Sequence, residues 1–238
     1  MDTQFHAVPA LASRRSLEND LDRLLDAATE ATAIFRAAVE AYLTAGSESA
    51  CWSLAQRIST QMCTVDELQQ RFATGTRDAT FESGTRPGMI EPLNAVTGLL
   101  REMRRQITAF AVESGFSGDA REVPAYLVTD LQELSDAVCA AVDELIEGCR
   151  PCMLLWGQPM CVGGDLGVSW YESQADRLSM QLIKQILADE ALELKVRLHL
   201  AQVVEEVDRV ADYAERVDTD LRAGRMAGLA TRASRDSH

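Results

Sequence analysis

Aromatic side chains are scarce in this sequence: three Trp, four Tyr and six Phe make up 5% of 238 residues. Hydrophobic residues still account for 47%, so the core must be filled by Leu, Val, Ile and Ala. That balance disfavours β-sandwiches, which lean on aromatic and β-branched side chains, and favours helix bundles. Positive charge is also in short supply. Against 37 Asp and Glu there are 23 Lys and Arg, a formal net charge of −14. Phosphate backbones require a basic face, which excludes nucleic acid as a partner. Cations and basic protein surfaces remain open.

Long apolar runs are missing too. No stretch reaches the roughly 18 uninterrupted apolar residues of a membrane span, and Met1–Arg15 lacks the apolar run of a signal peptide. The expected location is therefore cytoplasmic, where the six cysteines stay reduced. No phosphate-cradling glycine loop, nucleophile elbow or zincin helix occurs, and no catalytic activity is expected.

What the sequence does carry is helical periodicity, in six segments. The first runs from about Ser16 to Ala45 through Leu21, Leu24, Leu25, Ala28, Ala31, Phe35, Val39, Tyr42 and Leu43, with Gly46 as its C-terminal stop. The second spans about Ser49 to Thr74, followed by a polar Gly/Pro-bearing loop from Thr76 to Gly88. The third spans Pro92 to Glu113, and Ser114–Asp119 reads as a break. The fourth starts at Pro124 and closes at Gly148. Cys149–Val168, with two prolines and four glycines, is expected to be irregular. The last two, Ser169–Ala188 and Glu190–Arg222, adjoin and must form an antiparallel hairpin. The tail from Gly224 to His238 is expected to be unstructured.

These helices repeat. Moved back by 103 positions, Leu127, Val128, Leu131, Leu134, Val138, Val142, Leu145 and Ile146 fall on Leu24, Leu25, Ala28, Ala31, Phe35, Val39, Tyr42 and Leu43. A shift of 104 sets Val203, Val204, Val207 and Ala211 on Leu99, Leu100, Met103 and Ile107. A shift of 110 sets Asp176, Leu178 and Leu182 on Asp66, Leu68 and Phe72. The expected architecture is all-α, an elongated six-helix bundle of two tandem three-helix repeats. The repeats are residues 16–115 and 121–222, with a 1–15 extension and a 223–238 tail.

Acidic residues form the most informative pattern. Glu172 and Asp176 share one face of the fifth helix, and Glu205, Asp208 and Asp212 share one face of the sixth. That strip lies about 100° from the apolar strip of Val204, Val207, Ala211 and Ala214. An antiparallel hairpin could gather these carboxylates into a set of hard oxygen ligands suited to Mg²⁺, Ca²⁺, Mn²⁺ or iron. The plainer alternative is a solvated acidic face. In that case Ser169-Trp170-Tyr171-Glu172 is a capping box, with Glu172 bonded to backbone, and Glu205 pairs with Arg209.

An E-x-x-A-D near the start of one helix followed by D-x-x-x-D in the next, within a duplicated three-helix frame, resembles the PhoU-like phosphate-transport regulators. The likeness is closest to their branch found beside Pit-type inorganic phosphate permeases. It is best over Tyr171–Leu221. The resemblance implies a two-half helical bundle acting as a cytosolic adaptor, peripheral at the inner membrane face through a phosphate transporter. It also implies metal ligands at Glu172, Asp176, Asp208 and Asp212, with Glu205 one turn away. The first half departs from the family pattern, since Met62, Arg104 and Thr108 stand where Glu172, Asp208 and Asp212 stand in the second, leaving Asp66 alone.

Three further features carry weaker alternatives. Cys149-Arg150-Pro151-Cys152 with Cys161 lacks the fourth ligand a zinc site needs, and no strand precedes it as in redox folds. Cys51, Cys63 and Cys139 read as core. Cys152–Trp156, apolar for a connection, folds back or meets a partner. His199 could mark a phosphotransfer helix. A ferritin-like carboxylate-bridged metal enzyme lacks its Glu-x-x-His, because Val196 takes the histidine's place. The reading is a non-catalytic regulator of inorganic phosphate transport that holds a divalent or iron ion in its second half. Homo-oligomerisation is left open.

Overall fold

The computed structural model describes residues 8–44, 48–78, 87–116, 123–154 and 167–235. Among them are six α-helices and no strand: α1 (Val8–Leu43), α2 (Glu48–Asp78), α3 (Pro87–Phe116), α4 (Ala125–Leu154), α5 (Gly167–Ala188) and α6 (Leu194–Arg235). None is long and apolar enough to cross a membrane. The apolar strips face inward as the periodicity requires: Leu21, Leu24, Leu25, Ala28, Ala31 and Phe35 of α1 are all buried. They join Leu127, Leu131, Leu134 and Val138 of α4 in one core that extends to Leu221.

Helices α1, α2 and α3 pack on one another, as do α4, α5 and α6. The triplets meet through α1 against α4 and α3 against α6, the pairs that are equivalent under the repeat, while α2 and α5 lie outside. Matched residues meet at these junctions. Glu102 and Arg105 of α3 correspond, 104 positions on, to Glu206 and Arg209 of α6. Arg105 reaches Glu102 at 2.7 Å and Glu206 at 3.5 Å, and Arg209 reaches Glu206 at 3.6 Å. Thr32 and Ser135, 103 apart, are both buried. Helices matched by the shifts of 103 and 104 positions thus pack against each other.

Helix ends differ from expectation. α1 begins at Val8, inside the expected extension, and α3 begins at Pro87, whose fixed φ suits a first turn; Pro92 then sits within the helix. α2 runs to Asp78, past Thr74. α4 continues through Gly148 and Pro151 to Leu154, correcting the irregular start at Cys149. The added turn is held from outside: the Arg150 guanidinium reaches Asp22 and Asp26 of α1, each at 2.9 Å, and Cys149 is buried. α6 runs on to Arg235 where an unstructured tail was expected; Ala, Arg, Met and Leu are good helix formers. Residues 117–122 and 155–166, with Trp156, Pro159 and Cys161, lie outside the described residues, as do the side chains of Cys152–Leu154.

The α5–α6 hairpin needs five residues, 189–193. Asp189 organises it, its Oδ1 accepting from the Ala191 amide at 2.9 Å. α5 starts at Gly167, at φ 67°, a left-handed conformation that glycine tolerates. Ser169 is therefore inside the helix and is not its cap. Glu172 accepts from the neighbouring Ser173 hydroxyl at 3.3 Å instead.

Candidate metal-binding face of α5 and α6

Antiparallel packing of α5 on α6 sets the register of the acidic strips. Its marker is the Ser179 hydroxyl, which donates to Asp208 Oδ2 at 2.7 Å. With Asp208 opposite Ser179, the next turn of α6 brings Asp212 against Asp176, and the previous turn of α5 adds Glu172. One carboxylate oxygen from each of Glu172, Asp176 and Asp212 lies within 4.8 Å of the others.

Of five sequence candidates, three converge. Asp208 stands a turn away from the group, one oxygen on Ser179 and the other, Oδ1, enclosed without a partner. Glu205 is exposed on the far side of Asp208. Two residues escaped the sequence reading. Glu215, one turn beyond Asp212, adds negative charge that both Glu172 and Asp212 feel. Ser179, three residues after Asp176, would have been found by asking what polar group faces the acidic strip.

The field at this face opposes ionisation. Burial raises the Glu172 carboxyl above its usual value, helped by Glu215, Asp176 and Asp212 and opposed by Ser173. Burial and then Asp176 raise Asp212, against the nearby Arg216 and Arg209 guanidinia. Asp208 is pushed up to about 6, mainly by burial, with the Ser179 bond opposing and Asp212 and Asp176 adding to the rise. Carboxylates crowded at such range repel, and a hard cation relieves the repulsion. Three oxygen donors open to solvent on one side, with no thiolate or imidazole, fit Mg²⁺, Ca²⁺, Mn²⁺ or iron completed by water.

Among the described residues, the first half has no such group. Asp66 is ion-paired with Arg101 at 3.2 Å, and Arg101 occupies the position of Glu205. Met62, opposite Glu172 in the repeat, is buried in the core. The Thr108 hydroxyl, opposite Asp212, donates to the Arg104 carbonyl at 2.8 Å.

His199 lies elsewhere, at the meeting of α1, α3 and α6. Tyr42 donates its hydroxyl proton to Glu113 Oε2 at 3.0 Å, and His199 Nε2 is 3.0 Å from the same phenol oxygen. His199 Nε2 is thereby engaged by the Tyr42 phenol oxygen, which is itself bonded to Glu113. Its other neighbour is Glu113 Oε2 at 3.7 Å. A ring nitrogen so engaged, beside a carboxylate, is a poor phosphoryl acceptor. Among the cysteines, Cys51, Cys139 and Cys149 are buried, and burial lifts the Cys139 thiol to about 12. Cys63 is exposed, contrary to expectation, because Met62 and Val65 take the inward face of α2.

No family model matches the chain, and no curated protein does. Solved crystal structures share its fold, two PhoU-like proteins among them. One, of a PhoU-like phosphate regulatory protein from Shewanella oneidensis MR-1, superposes with a TM-score of 0.70 at 18% identity, over 91% of this chain and 99% of that one. The other, of a PhoU-like protein from the same organism, gives 0.69 at 18% identity over 90% and 99%. At such identity the likeness establishes the fold, which is the PhoU-like bundle expected from the sequence.

Proposed function

We propose that this chain is a non-catalytic regulator of inorganic phosphate transport, acting from the cytoplasmic side by docking on a membrane phosphate permease of the Pit type. Glu172, Asp176 and Asp212 would hold a divalent or iron ion that clamps α5 to α6 and neutralises the face they share. The observation that carries this reading is the convergence of those three carboxylates, among the described residues, in the second half of a PhoU-like bundle. A cation there would supply charge neutralisation and rigidity, and the protein would supply the surface. The phosphotransfer alternative is disfavoured by the engagement of His199 Nε2 with Tyr42 and Glu113. The carboxylate-bridged enzyme is disfavoured by a ligand group without histidine.

The test is a strain lacking this chain, assayed for uptake of radiolabelled orthophosphate. Uptake should change on deletion and be restored by the wild-type chain but not by Asp176→Ala combined with Asp212→Ala. Uptake indifferent to deletion would refute the reading.

A further inference from the structure

Three donors of different chemistry meet where the ends of α1 and α3 reach the start of α6. Tyr42 stands in the last turn of α1, Glu113 in the last turn of α3 and His199 in the second turn of α6. Both halves of the chain therefore contribute. The Tyr42 phenol oxygen lies 3.0 Å from Glu113 Oε2 and 3.0 Å from His199 Nε2, and the third edge, Nε2 to Oε2, is 3.7 Å. An ion with bonds of about 2.1 Å holds its donors about 3.0 Å apart at right angles and about 3.4 Å apart in a tetrahedron. The three edges bracket those values, so one ion can reach all three atoms with small side-chain movements.

The group is held from within and open from outside. Tyr42 is buried, and its ring packs on Phe110 with centroids 4.7 Å apart, which fixes the phenol oxygen. The Glu113 and His199 side chains stay 36% and 38% exposed. That leaves a route for an ion and room for water to complete its shell. The local field favours a cation. The carbonyl ends of α1 and α3 both lie here, against one amino-terminal end from α6. Neither α1 nor α3 carries a basic residue in its last turn to offset them.

We propose that Tyr42, Glu113 and His199 bind one divalent transition-metal ion, of which Zn²⁺ is the type, and that this ion ties the first half of the chain to the second. Imidazole selects zinc, copper, iron or nickel over Mg²⁺ and Ca²⁺. That separates this site from the all-carboxylate face of α5 and α6. On binding, the ion takes the lone pair of His199 Nε2, the Glu113 carboxylate and the Tyr42 oxygen, and the phenol proton passes to solvent. One phenolate and one carboxylate then cancel the charge of a divalent ion. Neither the acidic face nor the permease enters into this site. The plainer alternative is a cluster that serves only through its hydrogen bonds.

Equilibrium dialysis of the full chain against Zn²⁺, with excess Mg²⁺ to occupy the carboxylate face, tests it. The readout is the difference between wild type and variant, in which zinc held by thiols or surface carboxylates cancels. His199→Ala, and separately Tyr42→Phe, should each lose one equivalent of zinc that the wild type binds with a dissociation constant below about 10 µM. Circular dichroism should stay helical in both. Zinc should also raise the ultraviolet difference band of an ionised phenol in the wild type and not in Tyr42→Phe, although Tyr126, Tyr171 and Tyr213 remain. A zinc equivalent kept by either variant, or uptake only above about 1 mM, would overturn the proposal. Zinc binding without the phenolate band would overturn it too, leaving the three side chains as a hydrogen-bonded cluster alone.

Discussion

Replacing Asp208 by asparagine removes a charge that the fold holds at a penalty. The side chain keeps its shape and can still accept the Ser179 hydroxyl bond. What goes is the negative charge on a carboxylate whose Oδ1 is enclosed without a partner and whose neighbours are Asp212 and Asp176. The folded-state value of about 6 stands above the ordinary 3.8. The folded chain therefore holds a proton there that the unfolded chain has lost, and this group favours folding most below the ordinary value. That contribution falls away as pH rises through about 6, leaving an ionised, unfavourable carboxylate at neutral pH. The shift taken at face value is about 3 kcal/mol; because the side chain is only part-buried, solvent screening reduces it to about 1–2 kcal/mol. In chelator at pH 7, Asp208→Asn should raise the unfolding midpoint by about 2–8 °C for a chain of this size. At pH 4 the wild-type side chain is largely neutral when folded, and the advantage should shrink to near zero. Urea or thermal unfolding at the two pH values decides it. No gain at pH 7, or an equal gain at pH 4, would refute the electrostatic account of this face.

Other outcomes follow from the same geometry. Elemental analysis after metal-replete expression should find an ion in the wild type that Glu172→Ala or Asp176→Ala removes and Asp66→Ala leaves, since Asp66 is occupied by Arg101. His199→Ala should leave phosphate uptake unchanged, and the wild-type chain should take no phosphoryl group from a kinase or small donor; a stable phosphohistidine would reverse that reading. Gly98→Ala should destabilise the fold by about 1 kcal/mol in chemical denaturation. Its methyl group meets the Tyr213 hydroxyl, and displacing that ring disturbs Arg216, whose guanidinium lies 5.5 Å from the ring centre. An unchanged denaturation midpoint would show that Tyr213 turns away freely.

What could be read in advance divides along the range of the interactions involved. The α1 strip from Leu21 to Leu43 and its α4 counterpart were legible because the period of a helix is local, and the same strips carried the repeat. The end of α4 was not, because Pro151 is an adjacent signal while Asp22 and Asp26, which hold Arg150 in a helical turn, are more than a hundred residues away. The acidic strips were visible on each helix separately. Which carboxylates converge depends on how α5 slides along α6. The Ser179–Asp208 bond marks that register, leaving Asp208 a turn short and Glu205 further still. Glu215 lay one turn outside the motif and was passed over for that reason. Cys63 was misplaced because a cysteine in a helix carries no record of its facing; only its offset from Met62 and Val65 does.

The central claim is that the chain acts on phosphate transport through its α5–α6 face, and the direct measurement is transport itself. Membrane vesicles containing the Pit-type permease should take up radiolabelled orthophosphate at one rate alone and at a different rate once the purified, metal-loaded chain is added. Asp176→Ala with Asp212→Ala, folded to the same helical content, should leave the rate at that of the permease alone. A rate that the wild-type chain does not alter, at concentrations well above that of the permease, would contradict the account.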